Sequence, residues 1–150
     1  MENFNFKAYT EMLFGKGQIS KLPEVMSRYG KNVLLAYGGG SIKRNGIYDN
    51  VKQLLSDYNI VELDKIEPNP RIETVRRGVE LCKENNIDVI LAVGGGSTID
   101  CAKVVAAGAF YNEDPWDLVT NPEKIDKIVT IGKTLSIFSG FVTKSHGSSL

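Results

Sequence analysis

The chain has 150 residues, 42% of them hydrophobic and 24% charged, which is ordinary globular usage and about one domain's worth of core. Its 18 basic and 18 acidic residues cancel, so no basic field for nucleic acid or an anionic membrane is present. The opening "MENFNFKAYTEMLFGKG" has neither the cationic start nor the long apolar stretch of a signal peptide, and no membrane-length apolar run follows. Cys82 and Cys101 lack CxxC spacing and a nearby histidine, so they read as two reduced, packed thiols. The expected setting is the cytoplasm.

In chain order, Thr10 to Phe14 suits an opening strand. Residues 18–29 carry Ile19, Leu22, Val25 and Met26 at helical spacing, with Gly30 suited to the end of that helix. "NVLLAY", Asn32 to Tyr37, is a short continuous apolar run, the mark of a strand buried on both faces. Helical period returns through Ile47, Val51, Leu54 and Leu55. Asn59 to Asp64 is the next strand, and "EPNPRI" is a Pro-rich break. Ile72, Val75, Val79 and Cys82 then space out a helix over 71–86. Ile87 to Val93 is a strong apolar strand, and 97–110 is a helix rich in small residues. Strand and helix alternate at the length of βαβ units, which predicts a parallel sheet covered by helices. Beyond Phe110 the pattern weakens. Asp114-Pro115 and Asn121-Pro122 mark loops, residues 127–138 offer one or two strands, and 139–150 have no periodicity.

The sequence GGGS occurs twice, at 38–41 and 94–97, each time behind a predicted strand. Ligands of open α/β sheets bind beyond the carboxyl ends of strands, near the point where strand order reverses. Unpaired N–H groups at a helix start and the positive end of its dipole suit an anion there. Glycine admits positive φ and lets a phosphate touch the backbone. Ser97 is placed to cap the helix or to hydrogen-bond a phosphate oxygen, and the two uses are compatible. A turn that merely needs glycine and serine is the competing explanation. Neither stretch is GxGxxG. "IGKT" at 131–134 ends like a phosphate-binding P-loop, but Lys127 stands where its first glycine belongs, and the match is rejected.

"YGGGSIKRNGIYDNV", "EPNP" and "AVGGGSTIDCAKVVAAGA" occur in this order, and together they resemble the amino-terminal half of iron-containing alcohol dehydrogenases, particularly the butanol-dehydrogenase branch. The resemblance runs from about Met1 to Ile137. It implies a Rossmann-like α/β domain over 1–137, a parallel sheet with helices on both faces, followed by an atypical, disordered tail at 138–150. In the family a second, all-helical domain holds a divalent metal, iron or zinc, through one aspartate and three histidines. That domain is expected to be missing here. His146, the only histidine, lies in the atypical tail and cannot make such a site.

Carried over position by position, the resemblance makes Gly95, Gly96 and Ser97 the pyrophosphate cradle, with Gly94 beside them, and sets Asn69 next to the cofactor. Asp100 either faces the cofactor and cleft or is a first-turn acid favourable to the helix dipole. Lys103 either completes GGGSxxDxxK or is a surface lysine. Trp116 reads as a core or interface anchor. No carboxylate follows Tyr37 to repel a 2′-phosphate. Gly38, Gly39, Gly40 and Ser41 instead offer a small anion nest for the adenosine end. Lys43 and Arg44 either add charge there or belong to a solvated face. NADP(H) is therefore expected to be preferred, with NAD(H) also accepted. The expected function is the cofactor-binding part of a metal-dependent alcohol dehydrogenase or aldehyde reductase acting on a primary alcohol or aldehyde such as butanol or butanal. This part is expected to be inactive alone and compatible with a homodimer. A stand-alone nucleotide-binding module is the alternative.

Overall fold

β1, Asn32–Tyr37, lies inside the sheet with Val33 through Tyr37 all buried, as its unbroken apolar run requires. A computed structural model describes residues 17–69, 71–121, 123–124 and 134–137. The expected strand at 10–14, the tail and His146 fall outside the described residues. β2 is Asn59–Leu63, β3 is Val89–Val93 and β4 is Thr134–Ile137. The order across the sheet is β2-β1-β3-β4, and every pairing is parallel.

The helices are α1 (Leu22–Met26), α2 (Ser41–Arg44), α3 (Ile47–Leu54), α4 (Ile72–Glu84), α5 (Gly96–Ala109) and α6 (Trp116–Thr120). Passing from β1 to β2 moves one way across the sheet, and passing from β2 to β3 moves back the other way. Right-handed crossovers must then leave their helices on opposite faces. The core obeys this. Val33, Leu35, Tyr37, Val89, Leu91 and Val93 pack with α1, Ile42 of α2, and α3, whereas Leu34, Ala36, Ile90 and Ala92 pack with α4 and α5. The period-2 alternation of the strands thus fills two separate cores. Each fully buried leucine, such as Leu34, Leu35 and Leu91, contributes about 1.5–3 kcal/mol relative to exposure.

The element boundaries show what the pattern could not specify. The first helical stretch splits into a 3-10 turn at Gln18–Lys21 and the short α1, and Gly30 follows three residues after the Ser27 cap with φ 147. α6 lies between the two expected loop marks, Asp114-Pro115 and Asn121-Pro122, where the pattern is weak. The Asp114 carboxylate accepts the Trp116 N–H at 3.1 Å and is gripped by Arg76 of α4 at 2.7 Å. An acid beside the first residue and a long-range ion pair thus accompany a five-residue helix that periodicity cannot reveal. Trp116 is 50% exposed and so is not a core anchor. No helix among the described residues is long and apolar enough to cross a membrane.

Candidate functional site

β1 and β3 are neighbours whose chains leave toward opposite faces of the sheet, β1 into α2 and β3 into α5. This is the point of reversal at which an α/β sheet opens a crevice beyond its carboxyl ends. Both GGGS stretches lie there. Tyr37 and Val93 are register partners, so Gly38 and Gly94 are the residues that follow one matched pair.

The second stretch departs from expectation in detail. α5 begins at Gly96 with Gly95 as its N-cap, one residue earlier than the sequence pattern suggests. Ser97 is therefore inside the first turn, no side chain caps the helix, and the capping role expected of Ser97 does not hold. Positive φ belongs to Gly94, at 155°, whereas Gly95 is extended at φ −91°, ψ −168°. A Cβ on Gly95 or Gly96 would meet nothing within 4 Å. Those two glycines stand open to the crevice, beside the N–H groups of the first turn of a 14-residue helix. Asp100, exposed, falls in the second turn and outside the strongest field of the dipole. Lys103 is exposed farther along α5.

Thr98 was not singled out by the sequence. It is 6% exposed, and among the described residues its hydroxyl has no hydrogen-bond partner. Its Oγ1 lies 2.8 Å from the place of a Cβ on Gly94 and 3.8 Å from that of a Cβ on Gly38. One buried hydroxyl thus sits between the two glycine loops: it leaves no room for a Cβ at Gly94 and lies at ordinary contact distance from the place of one at Gly38. Only the combination of strand register and helix phase reveals it.

The loop after β2 closes the other side. The Lys65 N–H donates to the Gly38 carbonyl at 3.1 Å and the Ile66 N–H to the Tyr37 carbonyl at 3.2 Å. Lys65 adopts φ 56 to do so. The Glu67 carboxylate is held below the usual range by its own backbone N–H, with the Thr74 hydroxyl donating to it at 3.1 Å. This fastens Lys65 and Ile66 to the first glycine loop and brings exposed Asn69 to the same end of the sheet.

Around the first GGGS the charges sort themselves. The Tyr37 hydroxyl donates to Glu62 at 2.8 Å, and burial pushes that phenol well above its ordinary range. Lys52 approaches Glu62 at 4.0 Å, and Arg77 pairs with Asp64 at 3.6 Å. Both carboxylates near this end of β2 are thereby engaged. Lys43 stands 4.8 Å from the Tyr48 ring centre and 5.6 Å from that of Tyr37. Arg44 folds back against Gly40. Gly39, Gly40 and Ser41 are exposed beside them.

A sheet with glycine loops at its strand reversal can be set beside known proteins. The family model for iron-containing alcohol dehydrogenase matches residues 10–141. The chain belongs to the iron-containing alcohol dehydrogenase family. NADH-dependent butanol dehydrogenase A of Clostridium acetobutylicum is 51% identical over 139 residues, covering 91% of this chain and 36% of that protein. NADPH-dependent aldehyde reductase YqhD of Escherichia coli is 41% identical over 140 residues, again 91% of this chain and 36% of the relative. The crystal structure of NADH-dependent butanol dehydrogenase A from Thermotoga maritima superposes with TM-score 0.72 at 45% identity, over 78% of this chain and 30% of that one. The chain thus spans little more than a third of the curated relatives it matches. The Rossmann-like fold and the resemblance read from the three motifs both hold.

The family name implies iron. Among the described residues no group of three or more His, Cys, Asp or Glu could hold a metal ion. Cys82 and Cys101 are buried in the second core, and burial pushes their thiols up to about 12 and about 11. The described residues do not fit an iron site.

Proposed function

We propose that this chain is the cofactor-binding part of a nicotinamide-dependent alcohol dehydrogenase or aldehyde reductase acting on small primary alcohols or aldehydes such as butanol and butanal. The observation that carries the reading is the pair of register-matched glycine loops flanking one crevice, with Gly95 and Gly96 open at the start of α5. Gly94, Gly95, Gly96 and Ser97 would cradle the pyrophosphate through backbone N–H groups and a hydroxyl. Gly38, Gly39 and Ser41 would take the adenosine end, with Asn69 and Asp100 at the rim. The bound nicotinamide supplies hydride transfer to or from the substrate's carbonyl carbon. The chain's own part is to hold and orient that cofactor.

The relatives' names divide between NADH and NADPH. For this chain NADP(H) is the preferred form, with NAD(H) accepted. Glu62 and Asp64 are both engaged, no carboxylate stands on the first loop, and Lys43 and Arg44 lie beside it. The balanced charge and buried thiols suit a cytoplasmic setting, and a homodimer is compatible with the reading.

Titration of the 150-residue chain with each nucleotide, alongside an assay with butanol and butanal, tests the proposal. Dinucleotide binding without alcohol turnover is expected, since no group of three or more His, Cys, Asp or Glu among the described residues could hold a metal ion. Absence of any dinucleotide binding by the folded chain would overturn it.

A further inference from the structure

We propose that Arg44 is the residue that grips a 2′-phosphate on the adenosine ribose, and that Gly40 is a glycine in order to leave room for its guanidinium. The inference rests on the NADP(H) reading above and assigns it to a particular side chain. The backbone of Gly40, φ −77 and ψ 1, is one that any residue adopts. Conformation therefore does not explain a third consecutive glycine. What occupies the place of its missing Cβ does: the Nη1 of Arg44 would be 3.1 Å away and the Cζ 4.0 Å, with no other group nearer than 4 Å.

The path of the side chain follows from helix geometry. Arg44 ends the four-residue α2, and its backbone N–H donates to the Gly40 carbonyl at 3.0 Å. Side chains on a helix lean toward its amino end, so a long one at this position returns over the residue four earlier. The guanidinium is thereby delivered to the mouth of the first glycine loop, just beyond the carboxyl end of β1.

Its charge is uncommitted. Among the described residues no carboxylate pairs with Arg44. Glu62 and Asp64, at the end of β2 and just after it, pair with Lys52 and Arg77. Lys43, next in sequence, is turned toward Tyr48 and Tyr37 and contributes a more distant charge. A planar fork of N–H donors that is always charged suits a phosphate dianion better than a lysine ammonium. The exposed Ser41 hydroxyl and loop N–H groups complete the surroundings.

Calorimetry on the 150-residue chain with 2′,5′-ADP, 5′-AMP, NADP+ and NAD+ tests this, with circular dichroism and thermal midpoints as the folding control. Arg44→Gln is expected to weaken 2′,5′-ADP and NADP+ by about ten- to hundredfold, the range of a charged hydrogen bond, and to leave 5′-AMP and NAD+ unchanged. Arg44→Lys should recover part of the loss. Gly40→Ala should weaken the same two ligands severalfold at unchanged fold, because its methyl pushes only the flexible tip of Arg44. A wild-type preference for 2′-phosphate ligands that Arg44→Gln leaves intact would overturn the assignment. A wild-type chain that binds 5′-AMP and NAD+ as tightly as their 2′-phosphates would overturn the NADP(H) reading, and Arg44's role with it.

Discussion

Tyr37 and Val93 face each other across neighbouring parallel strands, and the glycine after each enters the same crevice from opposite sides. The two GGGS stretches are therefore one solution used at both lips of one opening. Their glycines are not equivalent, however. Gly94 is constrained by backbone and by Thr98, Gly38 by the Ile66 carbonyl, and Gly40 by Arg44, while Gly39, Gly95 and Gly96 face open space.

That inequality separates folding from binding within three residues. Gly94→Ala must place a Cβ 2.8 Å from the Thr98 hydroxyl at φ 155 and should lose on the order of 1–3 kcal/mol of stability. Gly95→Val meets nothing within 4 Å and is already extended, so it should lose only about 1 kcal/mol as a poorer cap. The same branched side chain would occupy the phosphate's place and abolish dinucleotide binding. Urea unfolding and calorimetry on both variants check this. Wild-type affinity in a folded Gly95→Val chain would reduce the second GGGS to a turn.

How far the residues themselves announced this can be argued element by element. β1, α4 and α5 stand within two residues of their expected limits, because long apolar runs and 3.6 periodicity are local signals. The three motifs were equally readable, being contiguous. The helix phase at Gly95 is not: nothing in three consecutive glycines says which one caps α5, and Thr98, which fills the space a Cβ on Gly94 would need, lies beside a Gly38 far earlier in the chain. For the same reason the capping one of the two uses open to Ser97 does not hold, and Thr98 carries no local signal. α6 has no such local signal: the acid that accepts the N–H of its first residue is held by Arg76, far back in α4.

The second core contains a reciprocal fit between α4 and α5. A Cβ on Gly78 would fall 2.7 Å from Val105 and 2.8 Å from Leu63, and one on Gly108 would fall 2.6 Å from Val79. Each helix thus offers a glycine to a valine of the other. Gly78→Ala gains about 1 kcal/mol of helix propensity. Overpacking at these distances costs about 1–3 kcal/mol, and the second effect should win. A lowered denaturant midpoint, with cofactor affinity of the folded fraction unchanged, is expected. A raised midpoint would show that the two helices part without penalty.

The two cysteines should behave as packed apolar groups. Burial raises Cys82 to about 12 and Cys101 to about 11, so neither forms the reactive thiolate in the folded chain near neutral pH. A thiol-specific disulfide reagent at pH 8 should label both after unfolding and neither before. The pH dependence follows in sign. A thiol pKa raised in the folded state favours folding fully below the unfolded value, near 9, and that contribution disappears as pH rises toward 11–12. Unfolding midpoints should fall across that alkaline window, and the Cys82→Ala, Cys101→Ala pair should flatten the decline. Rapid labelling of the native chain would contradict the packing.

Cofactor choice offers the last test, and geometry selects where to make it. An acid at the end of β1 would repel a 2′-phosphate and accept hydrogen bonds from unmodified ribose hydroxyls. Gly38 is the position the sequence suggests, but a Cβ there lies 3.1 Å from the Ile66 carbonyl, a backbone atom that can give little. Loss of binding by Gly38→Asp would therefore confuse a shifted loop with a repelled phosphate. Gly39 has nothing within 4 Å, so Gly39→Asp adds the charge without the crowding. Two like charges about 4 Å apart at a protein surface repel by roughly 4 kcal/mol before salt screens them. Gly39→Asp should accordingly lose NADP(H) by tenfold or more while NAD(H) holds or tightens. The difference should shrink as salt is raised. Equal loss of both cofactors would mean that the first glycine loop holds some part of the dinucleotide other than its adenosine ribose.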